Sequence, residues 1–283
     1  MTLSTNIRLG LNKVLECFNL QVSTLTAARL ELARLEELAA LGLFDKQVYS
    51  VLPGMEAFNA SPIAEAYARH KPEIERLKSP VNEVSYVHSN EYFSSPDMEV
   101  LYLLVRTLAP RRVLEIGSGN STRITRQAIR DGALETELTA IDPQPRIDIT
   151  AFVDRLETKR LEQIDRYDLF EVLDAGDFLF IDSSHEVRLG SDVARIFCDI
   201  IPRLRPGIVL HFHDIFLPFE YPRIYWKDAA VWGEQYMLHA LLQGRPHEIV
   251  WPGHYLQRIP RDSPASLPFL CEGIAQSFWF RLT

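Results

Sequence analysis

Four short apolar runs each stop abruptly at a turn or a polar residue: Val113 to Ile116 before Gly117, Leu138 to Ile141 before Asp142, Phe178 to Ile181 before Asp182, and Ile208 to Phe212 before His213 and Asp214. Runs this short and this continuous read as strands buried on both faces. The longer stretches between them carry apolar residues at helical spacing, and such alternation predicts a parallel sheet with crossover helices. A weaker strand is expected around residues 151–156, a helix over 230–243, and two last strands over 247–251 and 277–282. Ligands of an open parallel sheet sit outside the carboxyl ends of its strands. The polar residues that end the four runs are therefore expected to meet in one crevice.

The N-terminal part has a different texture. Leu25, Leu32, Leu35, Leu38 and Leu41 recur among Glu and Arg, which predicts an amphipathic helix after a cap at Ser23 or Thr24. The repeat is shorter than the roughly three heptads that would argue for a coiled coil, so packing on the main domain is the preferred reading and pairing of two copies the alternative. A second helical stretch is expected over 62–77, and Pro80 marks a boundary. The division expected is a helical extension over 1–80 and a main domain over 81–283. Residues 81–95 form a looser segment, followed by a helix over 96–108.

The first strand feeds Gly117-Ser118-Gly119-Asn120-Ser121-Thr122. Glycine at 117 and 119 lets the backbone turn tightly and approach a ligand, and the following helix offers free N–H groups. A dinucleotide fingerprint would place a third glycine where Thr122 stands, which disfavours a nicotinamide-dependent oxidoreductase. Asp142 ends the next strand 23 residues past Gly119. That spacing suits a carboxylate accepting hydrogen bonds from ribose hydroxyls, with Pro143 beside it.

The E-x-G-x-G of 115–119 resembles motif I of the class I S-adenosylmethionine-dependent methyltransferases. The strings FIDSSHEVRLGSDV, IIPRLRPGIVLHFHDIFLPFEYP and VWGEQYMLHALL extend that resemblance from about Tyr92 to Phe280, toward a branch carrying D-x-x-H after the fourth strand and H-D after the fifth. Two departures stand out: Ser183 and Ser184 where a glycine is common, and Pro206-Gly207-Ile208 where a double glycine is. The resemblance implies a doubly wound, Rossmann-like α/β sheet of seven strands with the last antiparallel, and S-adenosylmethionine as cofactor. It implies that Glu115 reaches the methionine end, and that Tyr92 and Ser94, just before motif I, line the pocket. The implied cofactor set is Glu115, Gly117, Ser118, Gly119, Ser121, Thr122, Asp142, Pro143, Asp182, Tyr92 and Ser94.

Composition narrows the partners. A formal charge of −8 argues against a nucleic-acid backbone, which calls for a basic face. No stretch approaches the about 18 uncharged apolar residues of a membrane span, and no export signal opens the chain. Cysteines at 17, 198 and 271 lack zinc-site or disulfide spacing, so a reducing cytoplasm is expected. The partner expected is a small acceptor molecule, with homo-oligomerisation through the N-terminal helices as the remaining macromolecular contact.

Methyl transfer to oxygen or nitrogen is an in-line displacement in which the protein aligns two reactants and handles one proton. His185 is the first candidate for general base and His213 the second, beside Asp182; His211, in mid-strand, reads as structural. Relatives implied by the resemblance hold a divalent cation with acids at the ends of these two strands, here Asp182 and Asp214. Magnesium demands an octahedral shell, and the position beside Asp214 is Ile215, so waters, substrate or His185 would have to complete it. Metal dependence is thus not the favoured reading. The run from Phe216 to Tyr236 carries aromatic residues with interleaved Glu and Gln, a surface suited to a ring. Tyr221, Trp232 and Tyr236, with Asp214, are the acceptor candidates. The expectation is O-methylation of a small metabolite or sugar-containing molecule; N-methylation and a non-catalytic cofactor-binding protein are the alternatives.

Overall fold

The computed structural model describes residues 5–18, 26–165, 167–226, 232–258 and 267–283. The chain divides into two compact units, residues 1–48 and 49–283. The first contains helices α1 (Thr5–Leu15) and α2 (Thr26–Ala40). Leu35 and Leu38 of α2 are half-buried while Leu32 is exposed. Leu25 and the cap expected at Ser23 or Thr24 lie outside the described residues.

The larger unit opens with α3 (Ser61–Lys78), placed by sequence with the extension but packed here on α4 (Asp97–Leu108). Residues 97–105 of α4 are all buried, an all-round burial that its DMEVLYLLV sequence permits because its two acids find internal partners. It ends at Ala109 in the left-handed region, whose N–H donates to the Val105 carbonyl.

Seven strands form one sheet in the order β3-β2-β1-β4-β5-β7-β6. They are β1 (Arg112–Ile116), β2 (Glu137–Ile141), β3 (Arg155–Glu157), β4 (Phe178–Ile181), β5 (Val209–Phe212), β6 (His247–Pro252) and β7 (Phe278–Leu282). β1 to β5 are parallel, and β7 runs antiparallel to both β5 and β6. This is the doubly wound architecture expected. One correction concerns β3: it is a three-residue edge strand at 155–157, at the far end of the 151–156 stretch expected for it. The helix expected over 230–243 spans Glu234–Gly244, and Ala230 lies outside the described residues.

Register positions the site. Ile141, Ile116, Ile181 and Phe212 lie side by side across β2, β1, β4 and β5. The residues immediately after them, Asp142, Gly117, Asp182 and His213, therefore form a row along one edge. Their N–H groups extend the ladder, donating to Glu157, Ile141, Ile116 and Ile181 carbonyls at 2.9–3.0 Å. Below that edge Phe178, Phe180, Phe212, Trp279 and Phe280 fill the core and fix the strands.

Candidate active site

A cavity of about 740 Å³ opens over this row. One end is walled by Gly117, Ser118, Asp142 and Pro143, the other by Asp182, His185, His213, Asp214, Tyr225 and Trp232.

The first end is built on the turn between β1 and α5 (Asn120–Gly132). Gly117 has φ +81°, and a Cβ there would lie 1.8 Å from the Asp182 carbonyl oxygen. Only glycine lets β1 turn beside β4. A Cβ on Gly119 would meet nothing within 4 Å, so packing makes no such demand there. Ser118 donates its hydroxyl to Asp142 Oδ2 (2.6 Å), and the Gln144 N–H donates to Oδ1 (2.8 Å). Asp142 is thus held in place at the cavity wall.

Glu115 is placed differently from its implied role. It lies under the turn, 1% exposed, and is absent from the cavity wall. The hydroxyls of Ser121 and Thr122 donate to its two oxygens, and the Gly119 N–H donates to Thr122 Oγ1. Burial pushes its carboxyl up to about 8 against the pull of those two hydroxyls. Glu115, Ser121 and Thr122 form a buried brace for the turn. Tyr92 does line the cavity, with the Arg146 guanidinium 4.5 Å from its ring centre; Ser94 does not, and its carbonyl instead accepts from Met98 N–H.

At the other end the turn after β4 carries Asp182 and then His185, which sits in the left-handed region at φ 59°; Asp214 after β5 does the same at φ 54°. Non-glycine residues held so are uncommon and concentrate at functional sites. They aim His185 Nε2 at Asp214 Oδ2 (3.2 Å) and Asp182 Oδ1 (3.6 Å). His185 Nδ1 lies 2.8 Å from Glu234 Oε2. Burial of the ring works against its charge, but the hydrogen bond and field of Glu234, with Asp214 and Asp182, outweigh it and lift His185 to about 9. Glu234 is buried, and its carboxyl is raised by that burial against the pull of His185. His213 Nδ1 stands 3.8 Å from both Asp182 Oδ1 and Asp214 Oδ2. His211 is buried in β5, stacked on Phe180 at 3.8 Å and bonded to Ser277 Oγ, and burial drives it well below the usual histidine range.

The acceptor candidates separate. Trp232 lines the cavity with its ring 4.7 Å from that of His185. Tyr221 and Tyr236 do not line it: Tyr221 stands edge-on behind Trp232 at 5.6 Å, and Tyr236 donates its hydroxyl to Glu220 at 2.6 Å. Tyr225 takes the wall position instead. Sequence reasoning placed Glu234 only among the polar residues interleaved with the aromatic run; its pairing with His185 was missed, the two lying 49 residues apart.

Asp182, His185 and Asp214 each direct one ligand atom into a space within which all three lie under 4.8 Å apart. The donor set fits a divalent cation. Two carboxylates and an imidazole face inward, and Glu234 on the far ring nitrogen is the outer partner that ligand histidines usually have. Ile215 adds nothing, being buried with its N–H on the Gln276 carbonyl.

Residues 114–215 match the profile of a family described as Methyltransferase domain. No curated protein matches the chain. Among solved structures it resembles an O-methyltransferase from Bacillus cereus in complex with SAH at 16% identity, covering 80% of this chain and 92% of that one, with a TM-score of 0.41. It also resembles an SAH-bound methyltransferase from Podospora anserina at 14% identity, covering 88% and 96%, with a TM-score of 0.41. No helix among the described residues is long and apolar enough to cross a membrane.

Proposed function

We propose that this chain is an S-adenosylmethionine-dependent methyltransferase that methylates a hydroxyl of a small acceptor. The observation that carries the reading is the row Asp142, Gly117, Asp182, His213 along the sheet edge, with a braced turn and ribose-type carboxylate at one end and a carboxylate-bound histidine at the other. The matched segment, residues 114–215, contains that row. The cavity volume suits a cofactor and a small acceptor.

Bound S-adenosylmethionine supplies an electrophilic methyl group on its sulfonium. Asp142 accepts hydrogen bonds from vicinal hydroxyls, while Gly117 and Ser118 keep the wall open to a close approach of the ligand. His185 takes the acceptor's proton at Nε2, and Glu234 on Nδ1 fixes the ring orientation and stabilises the imidazolium that results. The neighbouring carboxylates favour the charged ring. A positively charged cofactor held in the cavity would oppose that charge and favour the neutral base at His185. Trp232 and Tyr225 offer flat apolar faces to the acceptor.

A second reading is favoured by the inward-facing Asp182, His185 and Asp214. These three would hold a divalent cation, which acidifies a hydroxyl it binds. The two readings give His185 different work and are separated by chelation.

The test is transfer of radiolabelled methyl from S-adenosylmethionine to a panel of hydroxylated small molecules, run on the wild type and His185→Gln. Label in a hydroxylated product from the wild type alone supports the reading. Label only in amines would move the activity to nitrogen, and no label with any acceptor would remove the catalytic claim.

A further inference from the structure

Tyr92 and Arg146 meet across the rim of the cavity, and neither has a part in the chemistry described so far. Both line the cavity and both are exposed, which puts them at its mouth. Arg146 lies just past Asp142 on the loop after β2, whereas Tyr92 comes from the segment that precedes α4. The Arg146 guanidinium stands 4.5 Å from the centre of the Tyr92 ring and has no carboxylate partner among the described residues.

The two sides of this contact are held differently. Asn90 fixes the Tyr92 side: its Oδ1 accepts from the Tyr92 N–H (3.0 Å) and the Phe93 N–H (2.7 Å), and its Nδ2 donates to the carbonyls of Val87 (2.8 Å) and Phe93 (2.9 Å). Asn82 ties the start of the segment in the same way, accepting from the Tyr86 N–H (2.8 Å) and donating to the Leu77 (3.1 Å) and Tyr86 (2.7 Å) carbonyls. Arg123 of α5 donates to the Ser85 carbonyl at 2.8 Å, and Phe93 is buried. Side-chain amides that bond the main chain in this way take the place of a regular ladder, so residues 82–93 form a fixed mount for the Tyr92 ring. Arg146 carries its guanidinium on a long rotatable stem and is the side that moves.

We infer that Arg146 is a gate at the Asp142 end of the cavity, shut against the fixed Tyr92 ring, past which the nucleoside part of the cofactor enters and leaves. The inference rests on the proposed function for the identity of what passes. A cation over an exposed tyrosine face favours the closed arrangement by about two- to five-fold. Exposed side chains open and close far faster than ligands bind, so the closed fraction scales the rate of passage. The contact joins protein to protein and is available whether the cavity is filled or empty. Such a gate slows entry and exit by one factor and leaves the equilibrium constant where it was.

The experiment is surface plasmon resonance with S-adenosylhomocysteine on the wild type, Tyr92→Phe, Tyr92→Ala, Arg146→Ala and the double alanine variant. Association and dissociation rate constants are both expected to rise about two- to five-fold in each single alanine variant, with Kd unchanged. The double variant should be no faster than the singles, because one contact is lost only once. Tyr92→Phe keeps the ring face and should match the wild type. Wild-type rates in both alanine variants overturn the gate. A rise in dissociation alone overturns it too, since the pair would then be ordinary ligand contacts, and so do effects that add in the double variant. Both side chains are exposed, so these substitutions leave the core intact, which thermal melting verifies. All of those outcomes leave the proposed function standing. A folded wild-type protein that does not bind S-adenosylhomocysteine would instead overturn the proposed function, and the gate with it.

Discussion

Gly117 and Asp182 approach so closely that a single added carbon on the glycine would lie 1.8 Å from the aspartate's carbonyl oxygen. The turn after β1 and the end of β4 are therefore coupled through backbone. Gly117→Ala must also enter φ +81°, so we expect a loss of about 2 kcal/mol or more in stability by denaturant titration. Gly119→Ala, with open space at its Cβ, is expected to fold normally.

Glu115 makes stability depend on pH. Its folded carboxyl is raised from 4.5 to about 8 by burial, so the acid is bound as its neutral form in the fold. The contribution is fully present below about pH 4.5 and is lost as pH rises through about 8. The melting temperature of the ligand-free protein should fall across that window, and Glu115→Gln should flatten the fall. An unchanged slope in the variant would contradict the assignment.

The strands and the row of residues at their carboxyl ends were legible in the sequence because each buried parallel strand is an apolar run that stops at a turn or a polar group. What was not legible lay across the fold. Nothing local marks Glu234 as the partner of His185 or Arg146 as facing Tyr92, since both pairings join residues far apart in the chain. β3 was misplaced by a few positions because a three-residue edge strand, half-exposed, carries almost no apolar pattern. Glu115 lies one residue inside the end of its apolar run, whereas Asp142 and Asp182 follow theirs, and burial within β1 makes it a brace rather than part of the cavity wall.

Tyr236 and Trp232 should behave differently, although both belong to one aromatic stretch. Trp232→Ala removes a cavity wall and should raise the acceptor KM several-fold with S-adenosylhomocysteine affinity unchanged. Tyr236→Ala removes a hydrogen bond to Glu220 outside the cavity and should cost about 1 kcal/mol in stability without moving that KM.

His185→Gln should lower kcat by about 100-fold or more while cofactor affinity stays within a few-fold, the signature of a lost proton acceptor. Glu234→Gln should lower kcat in the same direction, because the ring loses the partner that orients it. Cofactor affinity lost in parallel would indicate a role in folding.

Chelation decides between the two uses of Asp182, His185 and Asp214. Activity that survives exhaustive treatment with EDTA assigns His185 to proton transfer. Activity abolished by EDTA and restored by magnesium or manganese assigns the three side chains to a cation, and Asp182→Asn should then weaken the metal titration.

The most direct measurement is a calorimetric titration of the purified protein with S-adenosylhomocysteine, beside Asp142→Ala and with NADH as control. The account predicts saturable binding to the wild type, affinity at least about 10-fold weaker in Asp142→Ala, where a buried hydrogen-bonding carboxylate is lost, and none for NADH. A folded wild-type protein that releases no heat with S-adenosylhomocysteine, or that binds NADH instead, would contradict it.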